Sequence, residues 1–554
     1  MRTTGREVLR RSITGQRRSV ALAALLTAGH QGGEALVPVV IGVVIDQAVA
    51  GGSVGTLLLW LAILGVLFAV LSTSYRLGAR LGERAAERAA HDLRLDVGRR
   101  VLHPGGGAES LAGELVSVGT SDAKRVGQVN GVLPFGAAGL AGLLVSAVVL
   151  LTMSVPLGLL VLLGTPPMLY LAHLIGKPLE RRSEAEQERS AFASGVATDL
   201  VAGLRVLKGV GAERAAVDRY RRTSRDSLKA TLRAARAQAW HNGALLALTG
   251  IFIAVVALVG GNLAAAGDIS VGDLVAAVGL AQYLITPFSI FSWVNGELAQ
   301  GRASAGRIAD VLNAPPAVDA GDATLPTPAA GHVKLSALGR GALRDVDFEA
   351  RPGELLGVVA TDPAAATDLL DCLGRAADPA TGTVTVDAVD LSTVDPSRVR
   401  EVVLVAAHDA DLFAGTVAEN CGTGPLAQPA MTAAAVDEVA EALPDGVETA
   451  VSERGRSLSG GQRQRVALAR ALAVDAPVLV LHDPTTAVDT VTEARIAAGL
   501  AELRRGRTTI LVTTSPALLA ATDRVVLLDD GRIAGEGSHA ELAGRADYRA
   551  AVLS

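Results

Sequence analysis

The 554-residue chain is 50% hydrophobic but only 3% aromatic, and its mean hydropathy of +0.38 is too high for a wholly soluble protein. Its formal net charge of -5 singles out no class of partner, and no nucleic-acid partner is expected. Its two cysteines, Cys372 and Cys421, fit reduced, inert thiols better than a disulfide framework.

The length suggests several domains, and long uncharged runs are confined to residues 1–300. At the N-terminus Arg2, Arg6, Arg10, Arg11, Arg17 and Arg18 precede an apolar stretch too long for a signal core, so no cleaved signal is expected. A membrane-spanning helix needs about 20 mostly apolar residues. Six segments qualify: about 19–47, 55–77, 131–153, 155–176, 241–265 and 272–296. A tight turn near Ser154 and Pro156 separates the third from the fourth, and a short loop around Gly267 and Asp268 joins the fifth to the sixth. The segments 76–130 and 177–240 are rich in Arg, whereas the joints near 48–54, 154–156 and 266–271 hold no Lys or Arg. That asymmetry places both termini and both long loops in the cytoplasm. The loops are charged and helix-favouring, so the spans should continue as helices beyond the bilayer.

Ionisable groups inside spans are costly and are functional suspects. His30 and Glu34 lie four residues apart on one face of the first span, with Gln31 and Asn262 also at membrane depth. They either line a substrate path or pair structurally. On the last span Tyr283, Phe288, Phe291, Trp293 and Asn295 form either an amphipathic substrate surface or ordinary packing. No cluster of Lys or Arg within the spans marks a strongly anionic cargo.

A Pro/Ala-rich stretch, 314–331, reads as a flexible linker between a membrane domain, 1–313, and a soluble domain, 332–554. In the soluble domain Leu355–Ala360, Val402–Ala406, Val478–Leu481, Thr509–Thr513 and Arg524–Leu528 read as buried strands alternating with helices. The fold class is therefore multi-domain: a six-helix membrane domain followed by an α/β domain with a largely parallel sheet.

The strongest motif is Leu458-Ser459-Gly460-Gly461-Gln462-Arg463-Gln464-Arg465, running into the apolar helix Val466–Leu472. A Ser and two Gly at a helix start make a phosphate cradle, because the glycines admit close backbone approach and the helix N-terminus attracts anions. The run resembles the signature motif of the ATP-binding cassette (ABC) family. Glu453-Arg454-Gly455 resembles that family's exporter-type loop contacting the membrane domain, and Asp529–Ile533 with Glu536–His539 its closing segment. Gly113-Glu114-Leu115 through Thr120-Ser121-Asp122, and Gly203–Lys208, resemble its two cytoplasmic coupling regions. The resemblance covers the whole chain. It implies six spans, a P-loop-type nucleotide-binding domain, ATP and Mg²⁺ as cofactors, and head-to-tail pairing, with each ATP held between one domain's phosphate loop and the other's signature.

The same resemblance exposes departures. A phosphate loop needs Gly to bring N–H groups around the phosphates and a Lys on their oxygens. Here Ala366 takes the Lys position, Ala360, Pro363 and Ala365 take glycine positions, and Asp362 adds negative charge. Only Thr367 keeps the hydroxyl that would reach Mg²⁺. His482 and Asp483 replace the expected Asp and Glu, His408 in Ala406-Ala407-His408-Asp409 replaces Gln, and Thr514 replaces the switch His. No Tyr lies in Val333–Phe348 to stack on adenine. Solvated polar substitution is the expected state of His408 and His482 rather than a metal site. What serves a partner's ATP is retained: Ser459, Gly460, Gly461, Gln462, and Thr486-Ala487-Val488-Asp489, which resembles the D-loop.

The pattern implies a heterodimer with a second half-transporter whose phosphate loop and catalytic carboxylate are intact. It is an ATPase only in that company and moves a small molecule, lipid or peptide outward. A siderophore-type importer on the same scaffold and a non-transporting membrane scaffold are the alternatives. The Ala, Gly, Val and Arg bias points to a GC-rich bacterial genome and an inner-membrane location.

Overall fold

The computed structural model describes residues 3–107, 112–408 and 411–552. Arg2, Asp409 and the side chain of Arg205 lie outside the described residues. The chain divides into two compact units: Met1–Gly98 with Leu111–Asn313, and Arg99–Ser110 with Ala314–Ser554.

The first unit is all helical. Its labelled helices are α1 (Gly5–Gly15), α2 (Arg17–Val44), α3 (Val54–Val101), α4 (Ala123–Met153), α5 (Val155–Ala202), α6 (Glu213–Ala266), α7 (Val271–Tyr283) and α8 (Ile285–Asn313). Among the described residues six helical runs are long and apolar enough to cross a membrane, and they contain the six expected spans. Helices α3, α5 and α6 have 48, 48 and 54 residues. At 1.5 Å per residue they reach about 70–80 Å, over twice the roughly 30 Å of a hydrocarbon core.

The joints are built by short-range chemistry. Ser154 caps α5, its hydroxyl accepting from the Leu157 N–H, with Pro in the first turn. Gly267, at φ 81°, ends α6 in the left-handed region, which costs glycine nothing sterically. Ser270 and Asp273 form a reciprocal capping box at the start of α7. The Asp46 carboxylate then accepts from the Ser270 hydroxyl at 2.5 Å and the Gly272 N–H at 2.9 Å. The sixth span, expected as one helix, is interrupted at Leu284 between α7 and α8. Pro287 lies four residues after Tyr283 and has no N–H to return to its carbonyl, which loosens the ladder at that point.

Where lipid replaces water, helices associate by close packing of small residues. A Cβ on Gly127 of α4 would lie 2.5 Å from the Ala86 carbonyl oxygen of α3, and one on Gly42 of α2 would lie 2.4 Å from that of Gly272. Near the end of the unit, the buried Asp122 accepts from the Ser304 hydroxyl and from Arg307 Nε, both at 2.8 Å.

The second unit carries two main sheets. Strands β1 (Val333–Arg340), β2 (Leu343–Ala350), β4 (Thr381–Val386) and β5 (Val389–Asp390) form an antiparallel sheet in the order β2-β1-β4-β5. Strands β3 (Leu355–Ala360), β6 (Val403–Ala406), β7 (Val478–His482), β8 (Thr508–Val512), β9 (Arg524–Asp529) and β10 (Arg532–Gly537) form the other, in the order β10-β9-β3-β8-β7-β6. Its pairings are parallel except β9 with β10. The five strands expected from apolar runs are five of these six. Helices α9 (Pro363–Leu373), α10 (Gly460–Ala473), α11 (Thr490–Leu503) and α12 (Ala546–Val552) complete the parts needed here.

The stretch 314–331 forms no extended element, yet it is tied down within this unit. The buried Arg375 donates to the carbonyls of Asp319 at 2.6 Å and Ser392 at 2.7 Å, and Ala323 N–H donates to the Thr393 carbonyl at 2.9 Å. Both cysteines are free and buried. Burial pushes the Cys372 thiol up to about 12 and Cys421 up to about 11, so neither forms a thiolate readily.

The glycine contact between α3 and α4 gives a direct test. Gly127→Val should destabilise the chain by about 1–3 kcal/mol through overpacking, whereas Gly65→Ala, with nothing within 4 Å of the added methyl, should not. Thermal melting in detergent compares them; equal melting temperatures would show that this seam does not bear on stability.

Candidate functional site

The phosphate-loop position follows β3. Only Thr361 and Asp362 separate the strand from α9, which begins at Pro363. Pro363 brings no N–H to the first turn. The Asp362 carboxylate caps the helix, accepting from the Ala364 N–H at 2.8 Å. A helix N-terminus favours one anion, and here the chain supplies it. Ala365 and Ala366 are buried in the helix body. The Thr367 hydroxyl donates backward to the Pro363 carbonyl at 3.1 Å. Thr361 is tethered to the far end of β9, donating to Asp529 Oδ1 at 2.8 Å. These residues do not fit a nucleoside triphosphate: Pro363 has no N–H, the Thr361, Ala364 and Ala366 amides are taken within the chain, and among the described residues that line this position there is no Lys or Arg.

The other altered positions gather around the same place. Ala366, His482, Asp483 and Thr514 line one cavity of about 620 Å³, together with Thr361 and Asp529. Thr367, His408 and His482 line a second, of about 450 Å³. His482 thus stands between the two. Its ring meets that of His408 edge to face, with centroids 5.0 Å apart, and its Nε2 lies 3.8 Å from Asp483 Oδ2. His482 is therefore half-buried and packed, not a freely solvated substitution. Among the described residues no group of three or more His, Cys, Asp or Glu side chains converges as metal ligands do.

At the turn between β1 and β2, where an adenine-stacking ring was sought, an unanticipated carboxylate operates. Asp368 accepts from the Ala342 N–H at 2.8 Å and lies 3.8 Å from Arg340 Nε. The turn is pinned to α9, and Gly341 at φ 50° leaves no room there, since a Cβ would stand 2.3 Å from the Asp368 carboxylate. In sequence, only the position of Asp368 directly after Thr367 hinted at a role.

The signature segment is built differently. Ser459 caps α10; its hydroxyl accepts from the Gln462 N–H at 3.3 Å while Gln462 Oε1 accepts from the Ser459 N–H at 2.9 Å. The first-turn amides of Gly460 and Gly461 have no acceptor inside their helix, and Ser459 and Gly460 are exposed. Gln464 fixes the next loop: it donates to the Thr486 hydroxyl at 2.6 Å and accepts from the Ala487 N–H at 2.8 Å. A Cβ at Gly461 would meet the Ala487 carbonyl oxygen at 2.5 Å. Asp489 caps α11, accepting from the Val491 and Thr492 N–H groups, and the Thr492 amide leads the bonds that hold its carboxyl below the usual carboxylate range. Asp489 is exposed.

In the membrane unit the structure brings His30, Glu34 and Tyr283 together around a cavity of about 510 Å³. Gln31, buried beside them, links the group: its amide donates to Glu34 Oε2 at 3.0 Å. The Tyr283 hydroxyl lies 2.8 Å from both the backbone and side-chain oxygens of Gln31 and shares its proton between them. Asn262 is not part of this group; it donates to the Leu258 carbonyl of its own helix at 2.8 Å. Of the last-span aromatics Tyr283 lines this cavity; Trp293 packs edge to face on Phe135 of α4, centroids 5.6 Å apart, and Phe291 and Tyr283 stand over Gly139 and Gly142 of the same helix.

Comparison with known proteins adds to this geometry. A family model described as the ABC transporter transmembrane region matches residues 20–288, and one described as ABC transporter matches residues 343–486. A multidrug efflux ATP-binding/permease protein of Mycobacterium tuberculosis is 32% identical over 478 residues, covering 84% of this chain and 40% of the relative. An ATP-dependent lipid A-core flippase of Bordetella avium is 30% identical over 412 residues, covering 71% of this chain and 69% of the relative. The chain spans only 40% of the length of the mycobacterial relatives it matches. A solved structure of a bacterial Atm1-family ABC exporter with ATP bound superposes with a TM-score of 0.73 at 24% identity, covering 98% of each chain. At that identity the likeness concerns the fold.

His482 yields a pH test. Burial holds its imidazole below the ordinary value, with Asp483 opposing and His408 reinforcing the shift. The folded state therefore favours the neutral ring. Its contribution to stability is present above the unfolded value of about 6.5 and is lost as pH falls through the lower folded value. His482→Gln should flatten the decline in melting temperature below about pH 6.5. Parallel declines for the two proteins would show that the ring does not titrate between the folded and unfolded states.

Proposed function

The chain belongs to the ABC transporter family as an exporter-type half-transporter, and we propose that it is the non-catalytic half of a heterodimer. Its partner would be a second half-transporter with an intact phosphate loop and catalytic carboxylate, which would hold the ATP and Mg²⁺. The observation that carries this reading is the contrast between two helix starts in one domain. At α9 the Asp362 carboxylate occupies the anion position and Ala366 offers no cation. At α10 Ser459, Gly460 and Gly461 are arranged as a cradle with first-turn amides open to an outside acceptor. Two copies of this chain would join two closed loops to two open cradles and hydrolyse nothing. One copy beside a competent partner makes one working site.

The cargo in this reading is an amphiphile moved outward across a bacterial inner membrane, with both chain termini cytoplasmic. The names of the relatives, multidrug efflux and lipid A-core flippase, support an apolar or lipid-like cargo. So does the absence of Lys and Arg clusters in the spans. His30, Glu34 and Tyr283 belong to its path, and Asn262, near the Gly267 end of its span, is a further candidate.

ATP hydrolysis by the purified chain in nanodiscs should be at background, and co-purification with the product of a neighbouring transporter gene should restore it. In that complex Ser459→Arg or Gly461→Asp should abolish turnover, while Asp483→Asn should leave it within about twofold, since a group that does not act in the rate-limiting step contributes no barrier change. Robust hydrolysis by the chain alone, or a large loss with Asp483→Asn, would sink the proposal.

A further inference from the structure

We propose that the cavity around Glu34 is a recognition site for a protonated amine carried on an apolar body. Glu34 and His30 sit one helical turn apart on α2 and face the same cavity, whose walls Val37, Pro38, Phe68 and Leu71 are apolar. The proton positions follow from the partners. His30 Nδ1 lies 3.0 Å from the Leu71 carbonyl oxygen. A carbonyl can only accept, so Nδ1 donates, and Nε2 is the ring nitrogen turned toward Glu34. Nε2 stands 3.8 Å from Glu34 Oε2, too far for a hydrogen bond between them.

Nε2 and the Glu34 carboxylate therefore face the same cavity without a direct hydrogen bond between them. The remaining polar contacts hold them there. The Gln31 amide is oriented by the Tyr283 hydroxyl on its oxygen, and its nitrogen donates to the same Glu34 oxygen. Tyr283 in turn fits only because residue 142 is glycine: a Cβ there would lie 2.3 Å from the Tyr283 hydroxyl. The side chain that would satisfy the pair must donate hydrogens and carry positive charge. A second ring proton or an ammonium group can bridge the 3.8 Å gap, and they are alternative occupants. The other polar walls, Ser72, Gln282 and Tyr283, bring no further carboxylate or imidazole, and among the described residues no group of three or more His, Cys, Asp or Glu side chains converges as metal ligands do. The volume of about 510 Å³ suits a drug-sized ligand.

This site rests on the exporter reading only for the direction in which the amine would be moved; binding itself needs neither ATP nor the partner. The probe is a dansylated long-chain primary amine, compared with its neutral N-acetyl derivative, titrated by fluorescence into the full chain in phosphatidylcholine nanodiscs without ATP. The amine should bind saturably and about tenfold more tightly than the amide, a modest charge-assisted discrimination. Glu34→Gln should erase that difference while leaving amide binding intact. Equal binding of amine and amide by the unmodified chain overturns the proposal and requires no variant to fold. Replacing part of the lipid with phosphatidylethanolamine distinguishes the amine's source: a lipid headgroup ligand would compete the probe away, whereas a free amphiphile site would not respond. Loss of partner-dependent ATPase would leave these binding results standing, and failure here would leave the heterodimer reading untouched.

Discussion

A backbone amide at the start of a helix must find an acceptor, and the soluble unit is organised by where that acceptor comes from. Four amides per helix lack an intrahelical partner, and in an ABC fold two such ends face nucleotide, one in each half of the dimer. In this chain the end at α9 is closed by covalent neighbours: Asp362 accepts from Ala364 and Pro363 has nothing to donate. The end at α10 is closed only in part, by the exchange between Ser459 and Gln462, which consumes two donors and leaves the glycine amides. The surrounding residues follow this division. Around α9 the space that phosphates and metal would fill is lined by a methyl group, a histidine, a shortened carboxylate and a threonine. Around α10 the geometry is tight enough that Gly461 cannot carry a side chain.

The membrane unit answers the same demand by other means. Its helices satisfy their own backbones, so association falls to surfaces with few side-chain atoms, such as Gly42 against Gly272 and Gly127 against Ala86. Where the ladder is interrupted, at Leu284, Tyr283 ends α7, and its hydroxyl reaches across to α2 and fixes Gln31.

The parts of this arrangement that could be read in sequence are those with a strong local signal. Six apolar runs lie in six membrane-length helical runs among the described residues, the last broken at Leu284, and Leu355–Ala360 or Val478–Leu481 could hardly be anything but buried strands. The strands Val333–Arg340 and Leu343–Ala350 were not read: Lys334 and Asp347 are the exposed members of an apolar alternation, but register shifts between Leu335 and Arg340 break its period. Nor was the interruption at Leu284 visible, since the apolar run continues through it and a proline within a span often only kinks a helix. In the site, the loss of Lys and Gly was plain once the resemblance aligned Ala360, Pro363, Ala365 and Ala366 with a phosphate loop. The seating of His482 against His408 was not, because His482 ends β7 while His408 follows β6, its neighbour in the sheet, and nothing in the 73 residues between them (409 to 481) reports their distance. The pairing of Glu34 with Gln31 had a helical spacing that could have shown it; the contribution of Tyr283 needed the fold.

Arg375 carries a practical consequence. Its guanidinium is almost fully enclosed, and two of its contacts are carbonyls at Asp319 and Ser392. A truncation that starts the soluble domain at residue 332, where the regular strands begin, would remove the Asp319 carbonyl from a cation that cannot discard its charge, leaving it only the Ser392 carbonyl and the Asp378 carboxylate. The natural cut for preparing that half by itself lies upstream of 314, and even there the segment from Arg99 that belongs to the same compact unit would be left behind on the other piece. The two halves of this chain are interleaved in sequence, so neither can be excised by a single scission without taking a wound.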